Sequence, residues 1–169
     1  MLKYDCTFIC NISRKNMIKA ILKMKLVVGV IATDCDYQIN AQLVWKQYMH
    51  KNPNIKVYFL KFDNSKPDKS FGDDTFYCHS NSGKETIETM VTKSLEFMKV
   101  MLEDDSWDYI LRTNLSSVFH WDRVLSLLSQ NNHFDVIANN PLHGPCRQFL
   151  QDVVCFCHAK QSMALLTNG

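Results

Sequence analysis

Residues 107–117 read WDYILRTNLSS, in which a short apolar run ends abruptly in a series of polar side chains. The apolar run, at 109–111, is too short to begin a stable helix after Asp108, so the pattern predicts a buried strand. In α/β proteins the carboxyl end of such a strand is where ligands bind. The side chains there that can donate hydrogen bonds to phosphate or hydroxyl oxygens are Arg112, Thr113, Asn114 and Ser116.

Strand and helix patterns alternate on both sides of this stretch. The nearly continuous apolar run at 26–32 is typical of a strand buried in a parallel sheet. Residues 63–79, rich in Asp, Ser, Lys, Pro and Gly, are predicted to form a loop. The alternation predicts a single α/β domain with a Rossmann-like, mostly parallel sheet flanked by helices. The predicted strands are 26–32, 56–62, 109–112, 135–138 and 151–157, and the predicted helices are 39–50, 87–102, 118–128 and 159–167.

The strongest helix pattern covers 87–102. Residues 82–85 (SGKE) are predicted to form a capping box before it. Apolar or small residues then recur at i, i+3 and i+4 spacing, which predicts one stripe packed on the sheet. The stripe comprises Ile87, Met90, Val91, Ser94, Leu95, Met98, Met101 and Leu102.

Several of these segments, taken in order, resemble one enzyme family. They are LVVGVIAT at 26–33, Trp45, residues 87–95 with Lys93, and LRTNLSS at 111–117. Together they resemble glycosyltransferases with the GT-A fold, particularly relatives of the β-1,3-galactosyltransferases and similar proteins of large viruses and bacterial surface-polysaccharide loci. The resemblance covers roughly residues 26–167 and makes 26–169 a GT-A-like nucleotide-sugar-binding domain.

The resemblance implies a hexosyltransferase-type reaction in viral or bacterial glycan synthesis. A sugar would pass from a nucleotide sugar, a UDP- or GDP-sugar, to a hydroxyl group of a glycan or protein-linked glycan. The polar tip at 112–116 would hold the donor diphosphate, and Lys93 would support the phosphate side from behind. An inverting transfer also needs a general base, for which Asp152 is the nominated carboxylate.

A second candidate site follows the first predicted strand, at Thr33 and Asp34. In the resembling family this loop contacts the nucleotide base and ribose, so Asp34 would accept a hydrogen bond from the nucleoside. Asp34 is equally interpretable as the N-terminal cap of the following helix. Both readings stay open from the sequence.

The chain also departs from the family pattern. Most members carry Asp-x-Asp at the strand tip to hold a divalent cation, whereas this chain has Asn114-Leu115-Ser116. Neutral oxygens bind Mg²⁺ or Mn²⁺ poorly, so no metal site is predicted, and Arg112 or Lys93 would neutralise the diphosphate instead. Residues 149–152 replace a usual Ser-Gly step, and the domain is expected to be shortened at its C-terminus. These departures favour an alternative, a diverged and inactive nucleotide-sugar-binding or interaction module.

Asp34-x-Asp36 supports an alternative from another reaction class. Haloacid-dehalogenase-like phosphohydrolases place an aspartate nucleophile and a second aspartate after a buried strand in this spacing. Against that reading, Gln38 replaces the usual Thr or Val, and Gly72-Asp73-Asp74 follows too closely to supply the distal metal motif.

Charge and cysteine usage restrict the remaining function classes. Residues 1–25 hold six basic residues and one acidic residue, so this segment carries +5 and the rest of the chain −3, given a net charge of +2. This balance is unlike a nucleic-acid-binding domain. The basic segment, with apolar residues at 17–24, is interpreted as an amphipathic helix that packs on the domain or contacts a membrane surface. Seven irregularly spaced cysteines predict reduced thiols and a cytoplasmic location, in the host cytoplasm if the chain is viral.

Overall fold

The computed structural model describes residues 24–80, 86–130, 136–138 and 155–158. Their elements, in chain order, are β1 (Leu26–Ile31), α1 (Asp36–Lys46), β2 (Ile55–Phe62), β3 (Ser70–Phe71), β4 (Thr75–Cys78), α2 (Ile87–Leu102), β5 (Tyr109–Asn114), α3 (Trp121–Gln130), β6 (Val136–Ala138) and β7 (Cys155–His158). The predicted helix at 159–167, the basic segment up to residue 23 and Asp152 lie outside the described residues.

The strands form one sheet in the order β3-β4-β2-β1-β5-β7-β6. Strands β4, β2, β1 and β5 are mutually parallel, and β6 runs with them because it pairs antiparallel with β7, which is itself antiparallel to β5. Only β3 and β7 run in the opposite direction among the described strands. The predicted α/β fold with a mostly parallel, Rossmann-like sheet flanked by helices is confirmed.

The central strand β1 is buried on both faces, which explains its continuous apolar sequence. Val28 and Val30 pack on one face with residues of α1 and α3, including Trp45 and Leu125. The alternate residues of the strand pack on the other face against α2. The sheet therefore lies between α1 and α3 on one face and α2 on the other.

Gly29 allows α2 to approach β1 closely. A Cβ atom at this position would lie 2.7 Å from two carbons of the Phe97 ring and 3.1 Å from Leu60 Cδ1. Phe97 is fully buried, so the ring occupies the space that any larger residue at position 29 would need.

The predicted loop at 63–79 is wrong in part, because β3 and β4 lie within it. Strand β4 pairs parallel with β2, with Phe59 opposite Thr75, and β3 forms a short antiparallel pair with β4. Strand β4 has only four residues and directly follows the polar sequence Gly72-Asp73-Asp74, so its apolar signal is too short to stand out.

Helix α2 has the predicted extent, but its cap and buried face differ from the prediction. Thr86 is the N-cap and forms a capping box with Thr89, whereas the capping box predicted at 82–85 lies outside the described residues. Val91 and Leu95 are exposed, whereas Lys93 is buried. The predicted stripe was too wide because apolar residues also occupy the flank of the helix that faces away from the sheet.

Candidate functional site

The polar ends of β1 and β5 lie side by side at the carboxyl edge of the sheet. The two strands are parallel neighbours, with Gly29 opposite Arg112 and Ile31 opposite Asn114. Adjacent strands are about 4.8 Å apart, so Thr33 and Asp34 leave the sheet beside the residues that follow Asn114. The two polar strand ends predicted from sequence therefore lie next to each other at the carboxyl edge of the sheet.

The strand order reverses at this edge. Helix α1 leads from β1 to β2 on one side, whereas α2 carries the chain from β4 back across to β5 on the other side of β1. In open α/β sheets the crevice outside the carboxyl ends of strands at such a reversal binds ligands. We call the space between the β1 tip (Thr33, Asp34) and the β5 tip (Asn114, Leu115, Ser116) the β1/β5 crevice.

Side chains of α1 hold the backbone of Thr33. The Thr33 N–H donates to Gln38 Oε1 at 2.7 Å, and Gln42 Nε2 donates to the Thr33 carbonyl at 2.8 Å. Gln42 is itself only 7% exposed. In the sequence, Gln38 stands out only as a departure from the phosphohydrolase motif and Gln42 was not selected, because both look like ordinary polar positions of a surface helix.

Lys93 stands behind the β1 tip. It is fully buried, its Nζ donates to the Ala32 carbonyl at 2.9 Å, and it lies 5.2 Å from the centroid of the Phe62 ring. This hydrogen bond therefore ties the end of β1 to α2. In this arrangement Lys93 supports the backbone of the tip and is not itself open to solvent.

Asp34 is exposed and paired with Lys61. The Lys61 Nζ lies 2.5 Å from Asp34 Oδ1, and the Asp34 side chain is 71% exposed. The reading of Asp34 as a helix cap is wrong, because the N-cap of α1 is Cys35 and the helix begins at Asp36. Asp34 therefore presents an accessible carboxylate beside the crevice.

The Thr33 hydroxyl contacts the exposed thiol of Cys35. Their side-chain atoms are 2.9 Å apart. The hydrogen bond with Thr33 is the main cause that lowers the pKa of the exposed Cys35 thiol, which lies next to the crevice. No sequence pattern distinguishes Cys35 from the other six cysteines.

The last residues of β5 direct their side chains to alternate faces of the sheet. Side chains alternate along a strand, so Arg112 and Asn114 share the α2 face, where Arg112 Nε donates to Ser94 Oγ at 3.4 Å. Thr113 is 1% exposed and lies on the opposite face, in line with the buried Leu111. Arg112 and Asn114 are half-buried and Ser116 is exposed, so these three can meet a ligand, whereas the Thr113 side chain cannot reach one in this arrangement.

Helix α1 also holds the β5 tip. Trp45 Nε1 donates to the Leu115 carbonyl at 3.0 Å, and the Trp45 ring is 1% exposed. Its ring packs among those of Tyr48, Phe119 and Trp121, with centroids 5.2 to 6.2 Å away. The same helix thus contacts both sides of the crevice.

The residues at this edge do not fit a Mg²⁺ or Mn²⁺ site. Asn114 and Ser116 offer neutral oxygens, and the Asp34 carboxylate is paired with Lys61. In the described part of the chain, no group of three or more His, Cys, Asp or Glu residues is arranged to hold a metal ion.

The second acidic pair of the phosphohydrolase alternative lies far from Asp34. Asp74 comes just before β4 and pairs with His50, beyond the last turn of α1, at 3.2 Å. Asp34 instead follows the carboxyl end of β1. The two carboxylates do not share a site, so this arrangement does not support phosphohydrolase chemistry.

Within the described ranges, no helix is both long enough and apolar enough to cross a membrane. No protein-family model, curated protein or solved structure matches the chain.

Proposed function

We propose that the chain is a GT-A-like glycosyltransferase domain that binds a nucleotide sugar in the β1/β5 crevice and transfers its sugar to a hydroxyl acceptor. The observation that carries this proposal is the parallel register of β1 and β5, which aligns two polar strand tips at the reversal of strand order. The family resemblance of 26–33 and 111–117, which comprise these two tips, supports the same ligand.

The chemistry of the tips suits an anionic, hydroxyl-rich ligand. Arg112 carries a permanent positive charge whose planar N–H groups match phosphate oxygens, and Asn114 and Ser116 add neutral donors. Across the crevice, the exposed Asp34 carboxylate can accept hydrogen bonds from a ribose or a base. The diphosphate would therefore lie on the β5 side and the nucleoside on the β1 side.

Catalysis in this proposal depends on charge stabilisation at the leaving group. When the bond between sugar and diphosphate breaks, negative charge grows on the diphosphate oxygens. Donors already fixed at the strand tip stabilise that charge without reorganising. Because the residues present do not fit a divalent cation, Arg112 supplies the compensating charge, and Lys93 supports the β1 backbone behind the tip. Deprotonation of the acceptor hydroxyl is assigned to Asp152, which stays a prediction from sequence.

Calorimetric titration of the purified chain with UDP-, GDP- and CMP-sugars, with and without Mn²⁺, tests the proposal. We expect one nucleotide class to bind equally well in the presence and absence of the metal. Arg112→Ala should weaken binding by roughly tenfold or more, since a hydrogen bond to a charged group contributes about 1.5–3 kcal/mol. The matched control is Lys46→Ala, which removes an exposed charge from the far end of α1. Equal losses in both variants, or no binding by the wild-type chain, would refute the proposed site.

A second candidate is a nucleotide-sugar-binding module that does not transfer the sugar. The observation favouring it is the pair of neutral residues, Asn114 and Ser116, where the resembling family carries carboxylates. A nucleotide-release assay with a panel of glycan acceptors separates the two candidates. Acceptor-dependent release of the nucleoside diphosphate supports transfer, whereas tight binding without release supports the module.

A further inference from the structure

Helix α1 has an inverted pattern of polar and apolar residues. Its inner face carries Gln38, Gln42 and Trp45, which are spaced i, i+4 and i+7 and therefore share one side. Its exposed apolar residues are Tyr37, Ile39, Leu43 and Val44, with relative exposures of 43% to 73%. A helix that only covered a sheet would direct its leucine and valine inward. The inner face of α1 thus combines apolar packing by Trp45 with two glutamines that make hydrogen bonds.

The inner face of α1 satisfies backbone groups that lie beyond the paired residues of β1 and β5 in the described part of the sheet. Thr33 and Leu115 both lie beyond the last paired residues of β1 and β5, which are Ile31 and Asn114. A buried backbone group without a partner costs about 1–3 kcal/mol, so these groups need partners from elsewhere. Gln38 and Gln42 bind the two backbone groups of Thr33, and Trp45 binds the Leu115 carbonyl.

The β1 tip is held from the other face as well. The Ala32 N–H donates to the Leu60 carbonyl at 3.2 Å, and the Ala32 carbonyl accepts from Lys93. With the two glutamines, all four backbone polar groups of Ala32 and Thr33 have named partners. The end of β1 is therefore fixed in place before any ligand arrives.

We propose that Gln42 and Trp45 are positioning residues that set the width of the β1/β5 crevice. We call Gln38, Gln42 and Trp45 the α1 brace, because one rigid helix joins the β1 tip to the β5 tip through them. The inference rests on the proposed function, and it deepens it: the tips that would hold the nucleoside and the diphosphate are kept in fixed positions relative to each other. Neither residue touches the ligand; each acts through the backbone that it holds.

A matched pair of tryptophan variants tests the brace. Trp45→Phe removes the hydrogen bond to the β5 tip. Trp121→Phe removes a comparable one, from Trp121 Nε1 to the Tyr48 carbonyl at 3.3 Å, at the far end of α1. Both rings are buried, at 1% and 6% exposure, so both variants should lower the melting temperature by similar amounts. If Trp45 only filled the core, the two variants would also be alike in amide exchange at the β5 tip and in affinity for the ligand.

The first readout is amide hydrogen exchange, which needs no ligand. In Trp45→Phe we expect exchange of the peptide covering 113–118 to rise about fivefold or more, with less than a twofold change in Trp121→Phe. Gln42→Met, which keeps the volume but loses the donor, should do the same to the peptide covering 32–36. Equal exchange at the β5 tip in the two tryptophan variants would overturn the brace.

The second readout is the affinity for the nucleotide sugar that binds the wild-type chain. Trp45→Phe and Gln42→Met should each weaken binding by about fivefold or more, while Trp121→Phe stays within about twofold. Unchanged affinity in Trp45→Phe would overturn the positioning role. A wild-type chain that binds no nucleotide sugar would overturn the proposed function, and the exchange comparison would still decide whether the brace exists.

Discussion

Replacing Gly29 with alanine is expected to destabilise the protein, against the usual effect of this substitution. A Gly→Ala change at a compatible position stabilises a protein by about 0.4–1 kcal/mol, because it restricts the unfolded chain. At position 29, however, the new Cβ would lie 2.7 Å from two carbons of the Phe97 ring. Ordinary contacts between carbon atoms are about 3.5–4.0 Å, so the ring or the helix must move by roughly 1 Å.

The Phe97 ring has little room to move. It is fully buried, and its centroid lies 5.4 Å from that of Phe76 and 6.2 Å from that of Tyr58. Overpacking of this kind costs about 1–3 kcal/mol. For a domain of 150–250 residues each kcal/mol lowers the melting temperature by about 2–4 °C, so the expected fall is about 2–12 °C. Calorimetric or circular-dichroism melting measures it directly.

A double-mutant cycle identifies the cause. Phe97→Leu removes the ring that a Cβ at position 29 would meet, so Gly29→Ala in that background should cost less than in the wild type. Gly72→Ala is the control glycine: its nearest neighbour would be the half-buried Tyr77 ring at 3.2 Å, and we expect a change within about 0.5 kcal/mol. Additive effects of Gly29→Ala and Phe97→Leu, or a more stable Gly29→Ala protein, would refute the reasoning.

Three further predictions concern titrating groups. Because the Thr33 hydroxyl lowers the pKa of the Cys35 thiol, Thr33→Val should shift the pH–rate profile of Cys35 alkylation, followed by peptide mass spectrometry, to higher pH; an unshifted profile would contradict this. Glu96 is paired with Lys69, whose Nζ lies 2.8 Å from Glu96 Oε2, and with Lys99, and these two ammonium groups lower the pKa of Glu96 below its usual 4.5. The stability that the pairing confers is therefore present above pH 4.5 and is lost as the pH falls through the lowered pKa. Denaturant melts should therefore show Glu96→Gln to be less stable than wild type at pH 7, with a difference that shrinks as the pH falls below 4.5, and a constant difference would be evidence against this pairing. Burial raises the pKa of Tyr48 to about 12, so between pH 10 and 12 the phenol ionises only in the unfolded protein and the free energy of unfolding falls. The Tyr48→Phe variant should lose less stability over this pH range, and an equal loss in variant and wild type would exclude the effect.

The elements with long apolar runs could be predicted from sequence, and the short ones could not. Strands β1 and β2 and helix α2 were predicted within a residue or two, because each buries enough apolar residues to show a clear period. Helix α1 was placed three residues late, since its inner face includes Gln38 and Gln42 while most of its large apolar residues face solvent. Strand β4 was missed because four residues after a polar turn carry little signal.

The candidate site was predictable as a place but only partly as a set of side chains. Polar residues after buried strands indicated both tips, and the parallel pairing of β1 and β5 joins them. Side chains alternate along β5, so Thr113 is buried on one face of the sheet whereas Arg112 lies on the other face, beside Ser94 of α2. Which residue is buried depends on how the helices pack on each face, and that packing could not be predicted from the sequence. The contacts of Gln42 and Trp45 link residues up to 70 positions apart, so no local pattern could reveal them.

Amide hydrogen exchange with and without a nucleotide sugar tests the central claim most directly, because it reports both binding and its location. The account predicts that one class of nucleotide sugar slows exchange in the peptides covering 32–36 and 113–117 together. Exchange in the peptide covering 50–56, which leads into the amino end of β2, should not change. Protection confined to another edge, or none with any UDP-, GDP- or CMP-sugar, would contradict a donor site in the β1/β5 crevice.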